Sequence, residues 1–214
     1  MLLALDTATP AVTVALAEGD MVLAEHTVVD ARRHGELLAP AVEAVLSEAG
    51  VDRRAVTRIA VGVGPGPFTG LRVGLMTART LGLALDVPVY GVCTLDMLAA
   101  QAVDTGAVRG GFLVATDARR KEVYWAAYRA EGSGVQRTDG PRVSRPADAG
   151  WAGPTVGAGA ALYPADFPGH LDPAHPSAAA MCRWVAGRRP LLAPEPLYLR
   201  RPDAVEPGTP KQVL

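Results

Sequence analysis

Two stretches of the chain share one pattern, Leu2-Leu3-Ala4-Leu5-Asp6 and Phe112-Leu113-Val114-Ala115-Thr116-Asp117. Each is an apolar run of strand-like composition that ends at an aspartate and continues into a short polar turn. A second strand-like segment follows each turn, and these segments close on Glu18-Gly19 and Glu131-Gly132. Self-similarity of this kind is typical of a duplicated structural unit. The chain is therefore predicted to fold as two related α/β lobes, with a chance similarity of two strand–turn–strand units as the alternative.

The predicted lobes divide the chain near residue 95. Residues 1–95 form the N-terminal lobe, with long helices predicted over residues 34–49 and 69–85. Residues 96–214 form a smaller lobe with a middle rich in Pro and Gly, and its last dozen residues are predicted to be a loose tail. Strand–aspartate turn–strand units in two lobes are typical of the duplicated actin-like or Hsp70-like (ASKHA) fold. We predict this α/β fold class, in which each lobe is a mixed sheet with flanking helices.

The composition is that of an ordinary globular protein: 49% of the 214 residues are hydrophobic, 20% are charged and the net charge is −1. The arginines come as scattered pairs, so no basic cluster is predicted to hold a nucleic-acid backbone unaided. Cys93 and Cys182 lie far apart and outside any Cys-x-x-Cys spacing, which predicts free thiols and a reducing compartment. Neither a signal peptide nor a membrane-spanning helix is predicted, so we expect a cytoplasmic protein.

The turns after Asp6 and Asp117 are the candidate nucleotide loops. In this fold the loops normally place a glycine after the aspartate, because backbone N–H groups must approach phosphate closely. Here Thr7-Ala8-Thr9 follows Asp6, and Ala118-Arg119-Arg120 follows Asp117. Asp6, Thr7, Thr9 and Asp117 are therefore predicted to be the remnant of a nucleotide site, although weak binding through the threonine hydroxyls stays open.

The loop over residues 64–70, Gly-Pro-Gly-Pro-Phe-Thr-Gly, joins a predicted strand to a helix but does not match a phosphate loop. No Gly-Lys-Ser/Thr follows it, and Pro65 and Pro67 remove two N–H donors. We predict a rigid turn in which Phe68 is a packing anchor. The histidines lack the spacing of metal ligands on one helix, so neither a metal site nor a catalytic residue is predicted.

The helix predicted over residues 69–85 carries Gly70, Gly74, Ala78 and Gly82 at every fourth position, and large apolar residues cover most of its remaining surface. A helix that is apolar almost all round must be buried on more than one side. We predict that a partner protein covers this small-residue stripe and the helix over residues 34–49; coverage by neighbouring helices of the chain is the alternative. A charge at position 74 is accordingly predicted to abolish partner binding and to spare the fold. The predicted interface comprises His34, Leu38, Val42, Val45, Phe68, Gly70, Leu71, Gly74, Leu75 and Ala78.

Five stretches resemble the TsaB family, also called YeaZ, and they occur in the expected order along the chain. They are Leu3-Ala4-Leu5-Asp6-Thr7-Ala8-Thr9, His34-Gly35-Glu36-Leu37-Leu38-Ala39-Pro40, Gly64-Pro65-Gly66-Pro67-Phe68-Thr69-Gly70-Leu71-Arg72-Val73-Gly74, Asp117-Ala118-Arg119-Arg120-Lys121-Glu122-Val123-Tyr124-Trp125 and Leu197-Tyr198-Leu199-Arg200. The stretch over residues 64–74 is quite specific, whereas the Asp6 turn alone would be a weak signal. Pro67 departs from the serine expected at its position.

This resemblance implies an actin-like two-lobe fold and a non-catalytic role beside TsaD, the paralogue that carries the metal and transfers threonylcarbamoyl from its adenylate to adenosine 37 of ANN-decoding tRNAs. It implies a heterodimer with TsaD on which the ATPase TsaE docks, with tRNA reached through the complex and no membrane contact. In the family the subunit contact runs through the first two long helices, which correspond here to residues 34–49 and 69–85. Self-pairing into a homodimer in isolation, and weak ATP or ADP binding at the subunit interface, stay open.

Two other functions remain as alternatives. An active ATP-dependent small-molecule kinase of the same fold would need glycine-containing phosphate loops and an acidic residue for magnesium. The turns after Asp6 and Asp117 supply no glycine. A metallopeptidase would need clustered metal ligands, and the histidine spacing argues against them.

Overall fold

Each half of the chain builds one five-stranded sheet in the computed structural model, which describes residues 1–132 and 134–200. The N-terminal half contains strands β1 (Leu2–Asp6), β2 (Ala11–Glu18), β3 (Met21–Val29), β4 (Arg58–Gly62) and β5 (Val89–Val92), and helices α1 (His34–Glu48), α2 (Phe68–Leu85) and α3 (Thr94–Asp104). The C-terminal half contains strands β6 (Gly111–Asp117), β7 (Val123–Glu131), β8 (Gly134–Ser144), β9 (Thr155–Val156) and β10 (His170–Leu171), and helices α4 (Ala158–Leu162) and α5 (Ala178–Ala186).

The two sheets have the same strand order. The first is β3-β2-β1-β4-β5 and the second is β8-β7-β6-β9-β10, so β1 and β6 occupy the centres. In both sheets the first three strands run antiparallel, and the central strand pairs in parallel with the fourth, which pairs in parallel with the fifth. Since β1 ends at Asp6 and β6 ends at Asp117, the repeat in the sequence corresponds to a duplicated lobe. The predicted duplicated actin-like α/β fold is confirmed.

The N-terminal sheet is buried on both faces. Alternate residues of a strand point to opposite faces, so Leu3 and Leu5 of β1 pack with α1 and α2, whereas Leu2 and Ala4 pack with α5. Helix α5 comes from the other half of the chain, which returns to cover the first sheet. The predicted lobe boundary near residue 95 does not include this contact, because the sequence of an apolar helix face does not indicate which sheet the helix packs against.

The C-terminal sheet lies between α3 and α4. Leu95 and Leu98 of α3 pack with Phe112 on one face, and Phe167 packs with Leu113 on the other, together with α4. Helix α3 thus bridges the halves: it begins at the predicted lobe boundary and fills the core of the second lobe.

The two long helices lie close to their predicted bounds, and α2 begins one residue earlier than expected, at Phe68. Pro40 lies within α1. Among the described helices, none is both long enough and apolar enough to cross a membrane. The predicted loose tail, the last dozen residues, lies outside the described residues.

Candidate functional site

Most of the predicted interface residues lie inside the N-terminal lobe. Their side chains, or the glycine backbone, are buried under the lobe's own elements: Leu38, Val42, Val45, Gly70, Leu71, Gly74, Leu75 and Ala78. The prediction that a partner protein covers the small-residue stripe is therefore wrong, because this chain covers it. A subunit contact through the outward faces of the same two helices stays a prediction.

The small residues of α2 permit a close approach to the chain's own backbone. A Cβ atom added at Gly70 would lie 2.6 Å from the Thr7 carbonyl oxygen, and one at Gly74 would lie 2.5 Å from Thr7 Oγ1. At Gly82 the added atom would lie 2.3 Å from a methyl group of Val89 on β5. Side chains at these positions would push α2 away from the Asp6 turn and from the edge of the sheet.

Two of the predicted interface residues reach the surface. His34, at the start of α1, is partly buried, and its Nε2 donates to the Thr9 carbonyl oxygen at 2.8 Å. Phe68 is 44% exposed and stacks on Tyr198, with ring centroids 5.4 Å apart. The Arg72 guanidinium lies 3.7 Å from the Phe68 ring centroid and donates to Tyr198 Oη. Phe68 therefore anchors the C-terminal segment of the described chain onto the start of α2.

The side of α2 that faces solvent carries large apolar side chains that lie outside the predicted interface set. Met76 is 58% exposed and Leu83 is 85% exposed, and no described element covers them. These two residues belong to a helix face spaced by four, three, four and three residues, which comprises Thr69, Val73, Met76, Thr80 and Leu83. Val73 is partly buried against the core, and the other four are exposed. We call this set the outer stripe. Its spacing is readable in the sequence, but only the burial of the opposite glycine face identifies it as the exposed side.

Asp6 is sealed inside the N-terminal lobe. Its Oδ1 accepts from the Ala8 N–H at 2.8 Å, and its Oδ2 accepts from Thr94 Oγ1 at 2.6 Å. Gly62 of β4 lies against the carboxylate so closely that a Cβ there would overlap Asp6 Oδ2. Burial raises the pKa of the Asp6 carboxyl to about 6, although the hydrogen bonds from Thr94 and Ala8 act in the opposite direction.

The hydroxyl groups of the neighbouring threonines form hydrogen bonds within the lobe, and those of Thr7 join the turn to α2. Thr7 Oγ1 donates to the Gly70 carbonyl oxygen at 2.7 Å and accepts from the Gly74 N–H at 3.0 Å. Thr9 Oγ1 accepts from the Ala11 N–H at 3.2 Å. A phosphate group would need these polar groups to point outwards, whereas here they are consumed by internal hydrogen bonds.

The second turn is held by its own arginine. Asp117 Oδ1 accepts from the Arg119 N–H at 2.7 Å, and the Arg119 guanidinium lies 3.4 Å from Asp117 Oδ2. Arg119, Arg120 and Lys121 all adopt left-handed backbone conformations, with φ between 57° and 61°, which glycine would adopt without strain. Thr9 and Asp117 border the same cleft between the lobes, so the structure brings the two predicted remnant loops together.

Among residues 1–132 and 134–200, no three His, Cys, Asp or Glu side chains are grouped as metal ligands would be. The assignment of no metal and no catalytic residue stays a prediction. The described contacts join the end of β1 to the start of α2 and bury a carboxyl group. They are made by Asp6, Thr7 and Thr9.

The raised pKa of Asp6 predicts an unusual pH dependence of stability. Because burial raises the pKa of Asp6 in the folded chain to about 6, above its ordinary value of 3.8, folding favours the protonated carboxyl. Its contribution is complete below pH 4 and is lost as the pH rises through 6. We expect Asp6→Asn to gain about 3 kcal/mol in unfolding free energy relative to the native chain between pH 4 and pH 8. Urea unfolding of both proteins across that range measures the difference, and a constant difference would contradict it.

Comparison with known proteins places these features in a family. A family model described as "TsaD: tRNA N6-adenosine threonylcarbamoyltransferase" matches residues 22–164. An uncharacterized protein of Mycobacterium tuberculosis H37Rv is 45% identical over 215 residues, covering 94% of this chain and 92% of the relative. The solved structure of YeaZ from Pseudomonas aeruginosa has a TM-score of 0.79 and 32% identity, and covers 92% of this chain and 99% of that one. The chain belongs to the TsaB (YeaZ) family.

A named TsaB relative agrees with this membership. The tRNA threonylcarbamoyladenosine biosynthesis protein TsaB of Escherichia coli K12 is 40% identical over 135 residues, which cover 63% of this chain and 57% of that protein. The resemblance found in the five sequence stretches is confirmed.

The TsaB-like stretches meet in space around the Asp6 turn. Gly66 lies against the Ala8 carbonyl group, from which an added Cβ would be only 2.1 Å away. Arg200, at the end of the described chain, donates to the Ala118 carbonyl oxygen and pairs with Glu122. The parts of the sequence that carry the TsaB resemblance thus form one packed unit linking both lobes at the start of α2.

Proposed function

We propose that this chain is a non-catalytic TsaB subunit in the biosynthesis of N6-threonylcarbamoyladenosine at position 37 of tRNA, where it scaffolds and activates TsaD. One observation carries the non-catalytic part: the carboxylate and hydroxyl groups of the would-be phosphate loop are consumed by internal hydrogen bonds to Thr94, Gly70 and Gly74. Membership of the TsaB family supports the assignment to tRNA modification. An active kinase would need the Asp6 carboxylate to face magnesium, and its burial argues against that role.

The outer stripe is the proposed docking surface for TsaD. Met76 and Leu83 present large apolar side chains to solvent, where a subunit contact would remove them from water. Arg72 and Arg79 are exposed on the same helix, and Glu43 is exposed on the neighbouring helix α1. An apolar centre with a charged rim is the usual composition of a protein–protein interface.

Two further partners, TsaE and tRNA, are proposed for the complex. TsaE is proposed to bind the TsaB–TsaD pair, and tRNA is proposed to be held mainly by the other subunits, in keeping with the net charge of −1. In the absence of TsaD the outer stripe is available for self-pairing into a homodimer. The complex is proposed to act in the cytoplasm, with any ATP or ADP binding weakly at the subunit interface.

A reconstituted reaction tests the proposal. TsaD, TsaE, threonylcarbamoyl adenylate, ATP and unmodified tRNA are incubated with and without this chain, and modified adenosine is quantified by mass spectrometry of the nucleosides. We expect sustained product formation only when both TsaD and this chain are present, and an undiminished yield with Asp6→Asn. Product formed by this chain without TsaD, or an equal yield when this chain is omitted, would contradict the proposal.

A further inference from the structure

Cationic residues that are scattered along the sequence converge in the structure at the start of α2. Arg32 and Arg119 line one cavity of about 250 Å³, and Arg200 donates to the backbone of the turn that carries Arg119. Arg72 donates to the hydroxyl group of Tyr198, two residues before Arg200. We call this set the basic cluster, which comprises Arg32, Arg33, Arg72, Arg119, Arg120, Lys121 and Arg200.

The basic cluster carries an excess of positive charge in a chain whose net charge is −1. Four carboxylates lie in the same segments as its seven cations, those of Asp30, Glu36, Asp117 and Glu122. Three of these carboxylates are ion-paired with arginines of the cluster. Arg32 and Lys121 form no ion pair with any residue among 1–132 and 134–200. The positive charges therefore outnumber the negative ones, and exposed cations are left to attract an anionic partner.

The turn that displays three of these cations has an unfavourable backbone conformation. Arg119, Arg120 and Lys121 have φ values of 61°, 57° and 60°, in the left-handed region that residues other than glycine rarely adopt. All three residues are exposed, so packing in a core does not offset the strain. Strained backbone of this kind is concentrated at functional sites. Its presence at a turn that displays charge favours contact with a charged ligand over a packing role.

The basic cluster adjoins the proposed docking surface for TsaD. The cavity between Arg32 and Arg119 is also lined by Thr69 and Val73, which belong to the outer stripe. Arg72 lies on the same helix, between these two residues in the sequence. TsaD bound at the outer stripe would therefore lie next to the cluster, and a large anionic substrate held by TsaD would be within its reach.

We propose that the basic cluster binds the phosphate backbone of the tRNA beside TsaD, in a contact that adds to those of the other subunits and does not read base sequence. The identity of the nucleic acid rests on the proposed function. Exposed arginine and lysine side chains bind phosphate groups without distinguishing bases. The exposed residues of the two turns, 31–33 and 119–121, include no large apolar side chain, whereas the centre of a protein–protein interface is apolar. Nucleic acid is therefore favoured over an acidic protein surface.

Two variants that lose the same charge test the contact. The cluster variant combines Arg32→Gln, Arg120→Gln and Lys121→Gln. The control variant combines Arg53→Gln, Arg54→Gln and Arg109→Gln. The three control positions are exposed and precede β4 and β6, whereas the basic cluster follows the ends of β1 and β6. The length of β6 alone separates the two sets by about 20 Å. Because every substituted residue is exposed, both variants should remain folded by circular dichroism.

Labelled, unmodified tRNA is titrated with the full chain alone and with its complex with TsaD, and fluorescence anisotropy is followed over a range of KCl concentrations. For the chain alone at about 20 mM salt we expect a Kd on the order of 100 µM, weakened at least about tenfold in the cluster variant. In the complex, the slope of log Kd against log salt should fall by about 2–3 in the cluster variant, since each lost phosphate contact removes about 0.9. The control variant should keep the native affinity within a factor of about two. A tRNA with another anticodon should give the same changes, because the contact is to the backbone.

Three results would overturn the proposal: equal losses of tRNA affinity in both variants, unchanged affinity in the cluster variant, or no binding by the chain alone at about 0.5 mM protein and low salt. A cluster variant that retains tRNA but no longer binds TsaE would assign the surface to a protein partner, and would overturn it as well. If the native chain failed to bind TsaD, the docking surface would be contradicted, whereas the titration of the chain alone would still decide whether the basic cluster binds tRNA.

Discussion

Met76→Glu is expected to abolish co-purification of this chain with TsaD while the isolated chain stays folded. Met76 lies at the centre of the outer stripe and is 58% exposed, so a glutamate there remains hydrated in the free subunit. In the complex the carboxylate would lose its hydration at the apolar contact, a cost of about 3 kcal/mol that pairing with Arg72 or Arg79 offsets only in part. We expect the Kd for TsaD to rise by a factor of about 100 or more. Affinity capture with tagged TsaD, followed by titration of the purified proteins, measures the change.

Met21→Glu is the matched control. Met21 has almost the same exposure, 56%, but begins β3 at the edge of the N-terminal sheet rather than on α2. Its replacement should leave TsaD binding within a factor of about two, since a hydrated surface charge away from the contact changes the binding free energy little. The docking surface is wrongly placed if Met76→Glu still binds normally, or if both variants lose binding while both remain folded by circular dichroism.

Gly74→Ala is expected to destabilise the chain, although alanine is the better helix former. In an exposed helix the exchange would stabilise by about 1 kcal/mol. Here the added Cβ would lie 2.5 Å from Thr7 Oγ1, which is held on one side by the Gly70 carbonyl and on the other by the Gly74 N–H. Because Thr7 has no free direction in which to move, we expect a net loss of about 1–3 kcal/mol in unfolding free energy. Urea unfolding followed by circular dichroism measures it.

Gly35→Ala, another glycine-to-alanine exchange in a helix, is expected to stabilise the chain rather than destabilise it. Gly35 lies in the first turn of α1, and an added Cβ would meet no atom within 4 Å. We expect it to raise the unfolding free energy by about 0.5–1 kcal/mol, since alanine restricts the unfolded chain. If Gly74→Ala proved as stabilising as Gly35→Ala, the close packing of α2 on the Asp6 turn would be refuted.

The same geometry corrects the expectation for a charge at position 74. The sequence predicts that such a charge breaks partner binding and spares the fold. In the structure Gly74 lies on the buried face of α2, so Gly74→Glu would force a carboxylate into the lobe's interior. Loss of TsaD binding by that variant would therefore report unfolding, and Met76→Glu is the variant that probes the interface.

The duplicated fold was accessible from the sequence because the strand–aspartate turn unit is a local pattern that occurs twice. The ends of α1 and α2 were accessible for the same reason, since helical spacing is local. The orientation of α2 was not. Small residues at every fourth position suit contact with either a partner helix or the chain's own backbone, and only the position of Thr7, 63 residues away from Gly70, decides between them.

The candidate site was predictable only in part. The missing glycines after Asp6 and Asp117 argue against an ordinary phosphate loop, but they do not indicate which groups fill the space in its place. The carboxylate of Asp6 is sealed by Thr94 and Gly62, which belong to other elements of the lobe.

Amide hydrogen exchange of this chain, alone and saturated with TsaD, tests the docking claim most directly. We expect slowed exchange concentrated in peptides that cover residues 69–84, with a smaller effect on α1 and none on β3. We also expect the pattern to disappear in Met76→Glu. A stable complex with TsaD that leaves the exchange of residues 69–84 unchanged would contradict this placement of the docking surface.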